Sequence, residues 1–90
     1  MPYIKQDARK ELDPYLRALI NALAEHPSGS YNYAITMLLH AFLAERGLCY
    51  ETLNSIMGII SCVRDEFYAT VVRPYEERKR RENGDINESR

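Results

Sequence analysis

Residues 31–42 read YNYAITMLLHAF, and the fold turns on how that stretch is read. Tyr31, Ile35, Leu38 and Phe42 recur at the three- and four-residue spacing of an α-helix. Ala34, Met37, Ala41 and Leu43 widen the stripe until only Asn32, Thr36, His40 and Glu45 interrupt it. A helix that is apolar on nearly every side sits at the centre of a bundle or against another copy of its chain. A chain of 90 residues has little interior to offer it. At that length only about 60–65% of the unfolded chain's surface is buried on folding. The stretch therefore speaks of architecture and assembly before it speaks of chemistry.

The flanks of this helix predict its neighbours. Ser28-Gly29-Ser30 supplies a serine cap, and Gly47 falls just past the helix end. Upstream, Tyr15, Leu16, Leu19, Ile20 and Leu23 predict a helix over 14–26, capped by Asp13 with Pro14 at its first position. Residues 6–12 then form a separate short helix, because the residue before a proline is pushed out of the α region. Downstream, Leu53, Ile56, Met57, Ile60, Val63, Phe67 and Val71 predict a helix starting near residue 51. Gly58 inside it costs about 1 kcal/mol against alanine, and close approach of another backbone is its expected use. Pro74 deprives the helix of one hydrogen bond, so a kink or short break is expected there. A polar helix follows to about residue 82, ended by Gly84. The fold class is all-α: a small helical hairpin or bundle of three to four helices with a kinked C-terminal helix, self-associating as a homo-oligomer. Residues 1–83 are expected as a single helical domain and 84–90 as a flexible, frayed tail.

The composition is 46% apolar and 28% charged with a net charge of −1. That balance is globular rather than disordered, and no global field draws in nucleic acid or membrane. Residues 1–14 are charged and lack the apolar core of a secretory signal, and no apolar run approaches 18 residues. A cytoplasmic protein with no membrane span is expected. Cys49 and Cys62 are too few for a disulfide framework and read as buried thiols in a reducing compartment. His26, His40, Cys49 and Cys62 lack the paired spacing of a zinc site, so no metal and no cofactor are expected. Asp65-Glu66 and Glu76-Glu77 are adjacent pairs that point apart on a helix. They read as solvated carboxylates, and a metal-dependent nucleotide hydrolase is the least favoured reading. No phosphate loop, nucleophile elbow or Cys/His pair is present, and no catalytic residue is expected.

Two segments carry groups suited to a ligand. Tyr31, Asn32, Tyr33 and Thr36 open a helix, where unpaired N–H groups favour anions. Their rings suit stacking on a base, and their amide and hydroxyl suit its polar edge. His40 adds an imidazole one turn further on. In RPYEERKRRENGD (73–85), Arg73, Tyr75 and Arg78 combine guanidinium groups with a ring, as stacked anions require. Glu76, Glu77 and Glu82 nearly cancel the charge, and Glu77 and Arg81 are spaced as a helix ion pair. The expected function is non-enzymatic binding of an anionic nucleotide-type ligand, such as a cyclic signalling molecule, by an oligomer acting as a sponge. The alternative is an interaction module, an adaptor or inhibitor that docks a host protein through the apolar helix at 31–46.

MPYIK (1–5), LDPY (12–15), NYAIT (32–36), FYATVVRPYE (67–76) and ENGD (82–85) occur in this order along the chain. Together they resemble a family of uncharacterised proteins of about this length from prokaryotes and their viruses. The resemblance covers nearly the whole chain and implies a single domain with no activity to carry over. The ending ENGDIN departs from the hydrophobic-aromatic ending of the family, such as ENGDVY. A viral origin would favour host-directed binding and a part in counter-defence.

Overall fold

A computed structural model describes residues 2–89. Among them the chain is all-α, as expected, with no strand. The elements are α1 (Gln6–Leu23), α2 (Ser28–Arg46), α3 (Tyr50–Phe67) and α4 (Arg73–Asn83). A π-helix, Tyr68–Val72, joins α3 to α4, and a 3-10 helix, Ile86–Ser89, follows α4 within the segment expected to be frayed. Arg90, the last residue of that expected tail, and Met1 of the MPYIK motif lie outside the described residues. The chain divides into two units, Met1–Met57 and Gly58–Arg90, with the boundary inside α3.

In the first unit, α1 corrects the sequence reading. It is one helix with Pro14 inside it, where local sterics predict a break at Asp13-Pro14. The proline cannot donate to the Lys10 carbonyl, a loss of about 3 kcal/mol against alanine. Lys10 and Pro14 are exposed, so water can take the freed carbonyl. Asp13 and Arg17 approach to 4.0 Å across the proline. Leu12, Leu16, Leu19 and Leu23 keep one helical register through it, and a continuous helix keeps that stripe on one face.

The turn after α1 carries Glu25 at φ 68°. The Ala24 N–H donates to Asn21 O at 3.3 Å and the His26 N–H to Leu23 O at 2.9 Å. α2 then begins directly after Pro27, whose φ of −69° and ψ of 166° give the extended entry of a cap. The expected serine cap is absent. Ser30 Oγ instead lies 3.1 Å from His26 Nδ1. At the other end Gly47 adopts φ 89° as predicted, and its N–H donates to Leu43 O at 2.8 Å. α3 starts at Tyr50, just before the expected start, with the Cys49 carbonyl accepting from the Leu53 N–H at 3.0 Å.

No apolar side chain among the described residues is buried, and the one buried residue is Thr52, 5% exposed. Leu19, Leu23, Leu39, Phe42, Leu43 and Ile56 are half-buried. Tyr33 is 67% exposed and Leu38 58%. Cys49 and Cys62 are exposed, not buried as predicted, because neither unit has an interior to take them.

In the second unit the irregularity expected near Pro74 takes the form of the π-helix. Pro74 has no N–H, and its ring would press on the carbonyl four residues back in a regular helix. Widening the turn to five-residue hydrogen bonds relieves that conflict, and the Arg73 N–H duly donates to Tyr68 O. Thr70 Oγ1 donates to Glu66 O at 2.8 Å within the same turn. Gly84 ends α4 at φ 89°, its N–H donating to Arg80 O at 2.9 Å. Gly58 meets no neighbour: a Cβ built on it has nothing within 4 Å, so the expected close approach of another backbone is not seen.

Candidate functional site

The α1–α2 turn brings the last turns of α1 beside the first turns of α2 and leaves a groove of about 710 Å³ between them. Leu19, Leu23, Ala34, Met37 and Leu38 line it, together with Tyr33 and the bonded pair His26 and Ser30. Its walls are almost wholly apolar. Such a surface takes apolar side chains or the apolar body of a ligand and offers little to fix an anion.

Of the predicted binding residues, five stand on α2. At about 3.6 residues per turn, Asn32, Thr36 and His40 form a row along one face, with Tyr33 beside it. Thr36 Oγ1 donates to Asn32 Oδ1 at 3.3 Å, so the amide and hydroxyl already satisfy each other in part. Tyr31, 44% exposed, points roughly opposite that row, with Ile35 and Leu38. The two tyrosines therefore cannot sandwich one ring from a single α2.

The other three stand on α4, in the second unit. Tyr75 is flanked by Arg78 at 5.3 Å and Lys79 at 5.6 Å from its ring centroid. Arg73 does not join them. It lies 5.6 Å from the ring of Tyr68, a residue absent from the predicted set. Arg64, Asp65, Tyr68, Ala69 and Arg73 line a cleft of about 390 Å³. The spacing of five hid the pair: in a regular helix residues 68 and 73 lie well apart, and the π-turn stacks them. Arg64 is also 3.6 Å from Asp65, which tempers the positive charge of the cleft.

Arg80 and Lys79 are held by nearby carboxylates. Glu77 pairs with Arg80, one residue short of the predicted Arg81, and Arg80 also reaches Asp85 at 3.1 Å. Glu77 first, and then Asp85, hold the Arg80 guanidinium above its already high pKa. Lys79 and Glu82 approach to 3.5 Å.

Sequence reasoning misses one feature entirely. Cys49 Sγ lies 3.4 Å from Thr52 Oγ1 at the start of α3. The Thr52 hydroxyl and then the Thr52 backbone N–H lower the thiol pKa, desolvation opposes them, and the Glu51 backbone N–H adds a lesser lowering. Phe42, Arg46, Glu51 and Ser55 complete a cleft of about 290 Å³ there, and Arg46 stacks 3.9 Å from the Phe42 ring. The signal for it is the C-x-x-T spacing ahead of a helix, which is that of a side-chain cap.

Among the described residues no group of three or more His, Cys, Asp or Glu side chains is placed to hold a metal ion. No described helix is long and apolar enough to cross a membrane. No curated protein and no solved structure matches the chain. A family described as "Domain of unknown function (DUF6899)" matches residues 1–86, nearly the full length, and the chain belongs to that family.

Proposed function

We propose that this protein is a non-enzymatic interaction module whose working form is a homo-oligomer. The observation that carries the reading is the lack of a single buried apolar side chain among the described residues. Fixing a backbone costs about 1–2 kcal/mol per residue, and apolar burial is the main contribution that offsets it. Tyr33, Ile35, Met37 and Leu38 lie open on a helix whose own sequence calls for cover. Sedimentation equilibrium of the full chain tests the reading. A mass above one chain at micromolar concentration is expected. A fully helical single copy at every concentration overturns it.

A second reading has its own observation. Arg73 on Tyr68, and Arg78 and Lys79 on Tyr75, are ring-and-cation pairs of the kind that hold stacked anions. In this reading the assembly binds an anionic nucleotide and withdraws that signal from a host effector, a role suited to a viral counter-defence protein acting in the cytoplasm. Calorimetry with a panel of cyclic nucleotides is expected to give heat that Arg73→Ala abolishes, and silence across the panel sinks it.

A further inference from the structure

We propose that the apolar surface shared by α1 and α2 is a two-fold seam, on which α1 and α2 of a second copy of this chain dock. The inference rests on the self-assembling reading above and names the surface that performs it.

The first support is area. Tyr15 and Leu16 on α1 continue into the groove residues Leu19, Tyr33, Met37 and Leu38. The exposed fractions of Tyr15, Leu16, Tyr33, Met37 and Leu38 amount to on the order of 600 Å² of side chain, so two copies would bury about 1,200 Å², the lower end of the range for specific protein pairs. The groove, about 710 Å³ and open to solvent, makes that surface continuous from α1 to α2.

The second support is charge, and it points to a second copy rather than another protein. From Ala18 to Ala44 the single Asp, Glu, Lys or Arg is Glu25, in the turn between the helices. Across a two-fold axis every residue near the centre meets its own kind. A charged patch would repel itself there, whereas a patch without charge has nothing to repel. A different partner is ordinarily selected by complementary charge, which this face does not offer. Tyr15 and Leu16 stand between Asp13 and Arg17, which approach each other at 4.0 Å, and at about 3.6 residues per turn Arg17 falls nearly opposite Leu19 on α1.

The test uses the full-length chain and sedimentation equilibrium. Met37→Lys sets a cation against its own copy in the seam and is expected to weaken association by about tenfold or more. Val63→Lys, at an exposed site in the second unit, is expected to leave association unchanged. A wild-type oligomer indifferent to Met37→Lys, or broken equally by Val63→Lys, overturns the seam and leaves the self-assembling reading standing. A wild-type chain that stays single overturns both. Should Met37→Lys lose its helicity, Met37→Cys in a Cys49→Ser, Cys62→Ser background replaces it. A short bis-maleimide is then expected to yield covalent dimer, and failure to cross-link an oligomeric sample overturns the seam.

Discussion

Cys49 holds its sulfur 3.4 Å from the Thr52 hydroxyl, at the start of α3 where backbone N–H groups point outward. Both act on the charged form: an O–H or N–H donor stabilises a thiolate more than a thiol, so the pKa falls. Thr52→Val keeps the shape of the side chain and removes the donor. The midpoint of iodoacetamide alkylation of Cys49 against pH is therefore expected to rise in Thr52→Val, read by mass spectrometry in a Cys62→Ser background. An unmoved midpoint would mean that the hydroxyl does not face the sulfur. Glu25 presents the opposite situation, a side chain set against its backbone. Its φ of 68° costs an L-residue about 1–2 kcal/mol, and glycine removes that cost while losing about 0.5–1 kcal/mol to unfolded-state freedom. Glu25→Gly is expected to stabilise the chain by about 0.5–1 kcal/mol, measured as a higher thermal midpoint.

The helices show where periodicity speaks and where it is silent. The apolar repeats of α1, α2 and α3 announce each helix, and Gly47 and Gly84 mark two of the ends, because left-handed backbone has a chemical signature. Prolines are harder to read. Local sterics make Pro14 a boundary, yet the leucine register runs unbroken across it and the helix follows the register. Pro74 does mark an irregularity, but no sequence rule distinguishes a kink from a π-turn. That difference moves Arg73 from Tyr75 to Tyr68, and with it part of the candidate site. The paired Asn32 and Thr36 are readable from their four-residue spacing, whereas the α1–α2 groove depends on a tight turn around a strained Glu25 that nothing in the chain announces. Gly58 yields a direct check on α3. With open space around it, Gly58→Ala has only helix propensity to gain, about 1 kcal/mol, and thermal denaturation should show it. A loss of stability would instead reveal a neighbour packed on that glycine in the working form.

For the protein as a folded object, what must be explained is how it holds together at all. Its helices carry their backbone hydrogen bonds except where Pro14 and Pro74 withhold a donor, but helices of 11 to 19 residues are marginal in water without a packed face. Its ion pairs are exposed, Asp13 with Arg17 and Glu82 with Lys79 among them, and such pairs contribute about 0–1 kcal/mol each. Neither source offsets the conformational entropy of a chain this long, and no described apolar side chain is buried to do so. If association closes that gap, folding and assembly are one equilibrium, and the midpoint of thermal unfolding must depend on protein concentration. For a dimer that unfolds as it dissociates, a tenfold rise in concentration stabilises each pair by about 1.4 kcal/mol. Spread over two chains of this size, that raises the midpoint by about 3–5 °C. Circular dichroism melts at a micromolar base concentration and at two successive tenfold increases above it would give a ladder of that spacing. Coincident melts would mean that each chain unfolds alone, and the stabilising surface would then have to be sought within a single copy.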